Sequence, residues 1–156
     1  MAGHIPRELY TMLIAMLPIS ELRGAIPFAL GSGLSWQQSY LWAVIGNFIP
    51  VIPLLLFLGP LSSALARRFP LWRRFFDWLF ARTRRRGNLV ERYEALGLVL
   101  FVAIPLPVTG AWTGTVAAFL FGVRFKYALP AIILGILLAG TVVTLASVGI
   151  ISLWTI

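Results

Sequence analysis

Apolar positions along the chain fall into four long blocks, two of them smooth and two broken by proline-flanked polar segments. The cleanest, Trp36 to Leu58, is 23 residues without a charge. It predicts a helix about 34 Å long, enough to cross a hydrocarbon core of about 30 Å. Ser35 and Gln38 have capping-box spacing at its start, and Trp36, Tyr40 and Trp42 suit an interfacial aromatic belt. Asn47, Pro50 and Pro53 lie inside the block and predict a kink with one polar side chain at depth. Tyr127 to Leu153 is the second uncharged span. Along it Ala131, Gly135 and Ala139 recur every fourth position, which lets a helix of this chain or of a second copy come close.

The broken blocks predict something other than a plain span. Tyr10 to Leu30 is interrupted by Pro18-Ile-Ser-Glu-Leu-Arg-Gly-Ala-Ile-Pro27, and Ala95 to Gly122 by Ile104-Pro-Leu-Pro-Val-Thr-Gly110. Proline removes a backbone donor and pushes the residue before it out of helical geometry, so the Pro105 and Pro107 pair opens the chain. The pieces on either side, roughly nine to twelve residues each, reach about half of the core, which is the length a re-entrant hairpin needs.

Charge placement favours hairpins over kinked spans. Arg67, Arg68, Arg73, Arg74, Arg82, Arg84, Arg85, Arg86 and Arg92 all lie between Leu58 and Ala95. If the second broken block enters and returns, Arg124 and Lys126 join them, leaving only Arg7 and Arg23 elsewhere. The positive-inside rule makes that side cytoplasmic. The expected fold is therefore an all-α integral membrane protein of two inverted repeats, each a re-entrant helical hairpin plus one transmembrane helix. Repeat 1 covers about 6–58, repeat 2 about 94–154, and a basic cytoplasmic segment at 59–93 joins them in a single membrane domain, 1–156. From Pro70, apolar residues Trp72, Phe75, Phe76, Leu79 and Phe80 recur at helical spacing opposite Arg73, Arg74 and Asp77. This segment is expected to lie on the membrane surface, with the Arg82 to Arg86 cluster against anionic lipid headgroups and not against nucleic acid.

Composition agrees with a lipid environment. Hydrophobic residues make up 60% of the chain and charged ones 12%, where a soluble domain carries about 25% charged. There is no cysteine, so disulfide and thiolate chemistry are excluded, and His4 is the only histidine and reads as an ordinary terminal residue. The first apolar run, Leu9 to Leu17, lacks a basic start and an Ala-x-Ala exit, so it reads as part of the mature protein and not as a leader.

Candidate chemistry sits in the two breaks. Glu21 and Arg23 lie between Pro18 and Pro27 beside Gly24, and a charge at membrane depth costs several kcal/mol, roughly 3 to above 10, so it is kept there for a ligand, a relay or a pathway. Burial favours a neutral Glu21 while Arg23 favours a charged one, and a carboxyl balanced between them can carry a proton. Arg23 can pair with a phosphate or carboxylate, or the two residues can simply hold the hairpin tip as an ion pair. The second break has no charge. Thr109, Gly110, Trp112, Thr113, Gly114 and Thr115 follow its prolines at the start of a half-helix, whose free N–H groups attract anions. The breaks are expected to meet, because each leaves backbone groups that lipid cannot satisfy. The expected substrate and coupling residues are Glu21, Arg23, Asn47, Thr109 and Thr113, and the expected hinges are Pro18, Gly24, Pro27, Pro105, Pro107, Gly110 and Gly114. No metal site, cofactor or enzymatic constellation is expected.

The segments Pro18 to Pro27 and Ala103-Ile-Pro-Leu-Pro-Val-Thr-Gly-Ala-Trp-Thr-Gly114 together resemble the small multidrug export protein family. That family is similar in architecture to the DedA-like membrane proteins, whose paired re-entrant hairpins face each other and whose members are implicated in moving lipids. The resemblance implies a transporter in the cell membrane. Glu21 matches its acidic position in the first hairpin, whereas Pro105, Pro107 and Thr109 stand where DedA-like second hairpins usually bring arginines. The leading expectation is a transporter or flippase for an anionic, phosphate-bearing lipid-like substrate, proton-coupled through Glu21. The alternatives are a proton-coupled exporter of hydrophobic cations and a non-transporting structural membrane protein. Membrane lipids and a second copy of the chain, as a homodimer, are the expected partners.

Overall fold

The structure, a computed structural model, describes residues 6–84, 88–107 and 109–154, without the side chains at 79–80, 82–84 and 88–91. His4, Leu79, Phe80 and the side chains of the Arg82 to Arg86 cluster therefore lie outside what it describes. Among the described residues there are eight helices and no strand. They are α1 (Arg7–Met16), α2 (Glu21–Gly31), α3 (Trp36–Phe48), α4 (Val51–Arg68), α5 (Pro70–Arg84), α6 (Asn88–Ala103), α7 (Ala111–Leu120) and α8 (Phe125–Trp154).

α3 and α4 form one kinked rod, Trp36–Arg68, which with α8 makes two helices long and apolar enough to cross a membrane. The predicted capping box starts this rod: Ser35 Oγ accepts from the Gln38 N–H, and Gln38 Oε1 accepts from the Ser35 N–H. Its kink falls at Ile49-Pro50, where Pro50 and Pro53 withdraw two N–H groups from the ladder. The rod continues past Leu58, where the sequence reading ended it, because Leu61 and Leu65 keep the helical pattern as far as the Arg67-Arg68 pair.

α1 and α2 run antiparallel. Arg7 at the start of α1 donates to the Ser32 carbonyl just past the end of α2, at 2.6 Å, and a Cβ on Gly24 would lie 3.7 Å from Ile14. The break between them is shorter than the sequence predicts. It spans Leu17 to Ser20, and Pro27, read as a hinge, instead sits inside α2. Pro27 is exposed, so its ring displaces no packed neighbour and its cost is limited to the missing bond to the Arg23 carbonyl. α6 and α7 form the corresponding antiparallel pair. Gly114 of α7 packs on Val102 near the end of α6, and Phe121, just past α7, shares a groove with Glu94 and Gly97 in the middle of α6.

Small residues dominate the packing. Ala15, Ala25, Ala29, Ala43, Ala111, Ala118 and Ala128 are wholly buried. In lipid there is little hydrophobic drive between helices, and close approach of backbones supplies the attraction instead. Gly46 admits α1, since a Cβ there would stand 2.5 Å from the Met12 carbonyl oxygen. Gly140 admits the Tyr40 ring, whose hydroxyl donates to the Leu137 carbonyl at 3.1 Å. The Ala131, Gly135, Ala139 stripe is buried within the protomer, with Gly135 seated against Val102 and the Val99 carbonyl of α6. As a contact for a second copy the stripe is therefore already used, because α6 needs the same close approach.

α5 is the amphipathic helix the spacing predicts. Phe76 is buried and packs edge-on against Phe119 of α7, with ring centroids 6.1 Å apart, while Trp72, Phe75 and Trp78 stay exposed.

Candidate functional site

Both breaks end at one place. Glu21 is the first residue of α2 and is held at φ 44°, the one non-glycine positive φ among the described residues. A strained backbone of this kind costs about 1–3 kcal/mol and persists where surrounding contacts over-determine it. Those contacts come from the other hairpin. Glu21 Oε2 accepts from the Ala111 N–H and Oε1 from the Trp112 N–H, each at 3.3 Å. α7 has no capping side chain of its own, because its N-cap is Gly110. Its orphan N–H groups and the positive end of its dipole are served by a carboxylate from about 90 residues earlier in the chain.

Gly110 makes the approach possible. Its φ of 151° with ψ −170° is a conformation open essentially to glycine, and any Cβ there would run into the Glu21 carboxylate. Burial leaves Glu21 with 5% exposure, a loss of hydration that the two N–H groups and the neighbouring Arg23 offset only in part.

Arg23 works on the other side of the same break. Its Nη1 donates to the Leu106 carbonyl and its Nη2 to the Thr109 carbonyl, at 2.9 Å for the second. Prolines 105 and 107 cannot continue a helix, so few backbone donors reach these carbonyls: the Leu106 carbonyl also takes the Thr109 N–H, at 3.1 Å, and Arg23 adds a charged donor to each. Thr109 ties the loop from within: its hydroxyl donates to the Ile104 carbonyl and accepts the Leu106 N–H at 3.0 Å. A third bridge closes the junction, from Trp112 Nε1 to the Met16 carbonyl at 3.0 Å.

Asn47 of α3 is 1% exposed, and its Oδ1 has no hydrogen-bond partner. It lines a small cavity together with Glu21, Arg23, Pro105 and Thr109. That cavity offers about 10 Å³, roughly the room one water needs, and so the junction as it stands is closed to any larger molecule.

The structure thus brings together Glu21, Arg23, Asn47, Thr109, Pro105 and Gly110 of the residues singled out in the sequence. Thr113 stands apart: it is exposed, and its hydroxyl turns back to the Gly110 carbonyl at 3.4 Å. Pro18 and Pro107 are exposed in their turns, while Gly24 and Gly114 serve helix packing, against Ser20 and Val102 respectively. What sequence reasoning missed is the partner each backbone group meets: Glu21 of the same chain serves the N–H groups that open α7, and the Met16 and Leu106 carbonyls take Trp112 and Arg23. The legible signal was a half-helix opening on Gly110 with no Ser, Thr, Asp or Asn at its N-cap, which has to borrow one.

Residues 21–142 match the protein family described as "Putative small multi-drug export protein". The chain belongs to this family. The match begins at Glu21, just past the first break, takes in the second break and the whole Trp36–Arg68 rod, and ends inside α8; the two long apolar helices and the family together are consistent with a membrane protein. No curated protein and no solved structure matches the chain.

Proposed function

We propose that this member of the small multidrug export family is a proton-linked exporter of hydrophobic cations, with Glu21 as the carboxyl that exchanges proton for cargo. The observation that carries this reading is the Glu21 carboxylate on the N-terminus of α7. An anionic, phosphate-bearing lipid would seek that same N-terminus and the Arg23 guanidinium. Both are already engaged, one by Glu21 and the other by the Leu106 and Thr109 carbonyls. A cation and a proton, by contrast, compete for a carboxylate directly. Arg23 opposes a cation beside it, but its guanidinium is turned onto two carbonyl dipoles, which moderate its field. The family description supports export in the same sense.

In this reading the two helical hairpins are re-entrant, as the DedA-like resemblance implies, and enter from opposite faces as the inverted repeat that the charge placement favours. Supporting it, the α3–α4 rod begins at the base of the first hairpin and ends near the base of the second, where Phe76 of α5 meets Phe119 of α7. The basic segment, 59–93, then faces the cytoplasm. A second copy would wall in the hairpins through a surface other than the Gly135 stripe. Because the chain has no cysteine, single cysteines report topology cleanly. Ser63→Cys and Arg124→Cys are expected to react from the cytoplasmic face and Gly31→Cys from outside. Reaction of positions 63 and 124 from opposite faces would remove the inverted repeat.

The functional test is flux in proteoliposomes carrying an imposed proton gradient, with a hydrophobic cationic dye and a labelled anionic lipid offered in parallel. The dye is expected to move, faster as the gradient steepens. Lipid movement without dye movement would return the protein to the flippase reading, and movement of neither to a structural role.

A further inference from the structure

We infer that the Asn47 amide is the second seat of Glu21: it receives the carboxyl when Glu21 carries a proton, as the N-terminus of α7 receives it when Glu21 is charged. This rests on the coupling role proposed for Glu21 and names how the proton is read by the fold.

The argument begins with what protonation does to hydrogen bonding. A carboxylate only accepts, and the Ala111 and Trp112 N–H groups satisfy it. A carboxylic acid also donates, through its O–H, and no N–H can accept that hydrogen. The α7 terminus therefore fits the charged form and not the neutral one, both in hydrogen bonding and through its dipole. A neutral Glu21 needs an acceptor, and leaving its O–H unpaired in a buried site is unfavourable.

Asn47 supplies it. It lines the same small cavity as Glu21, it is almost fully buried, and its Oδ1 has no partner. Buried side-chain oxygens are rarely left so, and this one opens on the cavity it shares with a titratable group, where a bond made in another state would satisfy it. An amide matches a neutral carboxyl on both edges, with an oxygen for the O–H and an NH2 for the carbonyl, presented by rotation about its own bond. The surrounding charges leave the choice to this pair. Arg23 is the charged group beside Glu21. α3 and α7 have no charged residue, Lys126 lies in the first turn of α8, Glu91, Arg92 and Glu94 lie in the first half of α6, and Arg7 and Glu8 lie in the first turn of α1. Two seats then give the junction two states. A charged Glu21 pins the hairpin tips together; a neutral one swings to α3 and releases α7, whose bare N-terminus no longer holds the second hairpin against the first.

The test reads the proton itself and needs no transport. Infrared difference spectra of the full chain in lipid nanodiscs, recorded as pH is lowered, are expected to contain a carboxylic C=O band that Glu21→Gln removes. In Asn47→Leu, which keeps the volume but not the amide, that band is expected at higher wavenumber, as for an acid lacking an acceptor. Its titration midpoint should fall by about half to one pH unit, the worth of one hydrogen bond to the neutral form. Asn47→Gln, which keeps an amide, is expected to restore part of both shifts. Helicity by circular dichroism checks each variant, and Asn47→Ala is read the same way if the leucine does not fold. A band unchanged in position and midpoint in the folded leucine or alanine variant overturns the second seat while sparing the coupling role. A wild-type chain with no band that depends on Glu21 overturns both.

Discussion

Gly110→Val is expected to cut proton-linked export at least about tenfold while leaving the long helices intact. The effect has two sources that act together. The backbone at Gly110 lies at φ 151°, ψ −170°, a region that costs a β-branched residue about 1–3 kcal/mol. The added Cβ also lands on the Glu21 carboxylate, so the carboxylate loses both N–H partners or α7 moves away. Either result leaves a buried charge or a helix end without its partner, and 1.4 kcal/mol already amounts to tenfold. Gly149→Ala is the matched control. Nothing lies within 4 Å of a Cβ there, and alanine is the better helix former, so flux is expected near the wild-type level. Equal flux from the two variants would show that the contact between Glu21 and α7 has no part in transport.

Gly135→Leu is expected to destabilise the protomer itself. A Cβ at 135 would stand 2.5 Å from Val102 Cβ and 3.1 Å from the Val99 carbonyl oxygen, and leucine adds three further carbons beyond it. α6 has to be levered off α8, and that takes with it the wall of the second hairpin. Overpacking of this severity costs about 3 kcal/mol or more, out of a total stability of about 5–15 kcal/mol. On the scale of soluble domains of this size, that lowers Tm by about 6–12 °C. Thermal unfolding in mild detergent followed by circular dichroism measures it. A variant that melts with the wild type but changes oligomeric mass would mean that the glycine faces a second copy and not α6.

Legibility in the sequence followed the range of the interaction that fixes each element. The capping box at Ser35, the kink at Pro50 and the opening at Pro105 and Pro107 depend on residues within a turn of one another, and all three stand in the structure as read. Helix lengths were read less well. Pro27 looked like a boundary because proline usually is one, yet its exposed ring lets α2 run through it. Residues from 59 onward read as the basic surface segment because the nine arginines follow, although Leu61 and Leu65 carry α4 as far as Arg67 and Arg68.

The site was legible as two depth-placed charges facing an uncharged half-helix, but their roles were not. An N-terminus following Thr109 reads as a receptor for an external anion. Only the fold reveals that Glu21 of the same chain fills it and that Arg23 is spent on carbonyls. Thr113 shows the limit from the other side. It sits one turn along α7 with a suitable hydroxyl, but helical geometry turns it outward, and Thr115, two residues on, is the buried one.

The most direct test of the account is export measured for Glu21→Gln beside the wild type, in proteoliposomes, with and without a proton gradient. Glutamine keeps the shape of the side chain and its acceptor oxygen but can neither charge nor exchange a proton. Wild-type dye flux is expected to rise with the gradient, and the variant, folded and present at equal density, is expected to give the same low flux with the gradient and without it. Flux in Glu21→Gln that still climbs with the gradient would contradict the account.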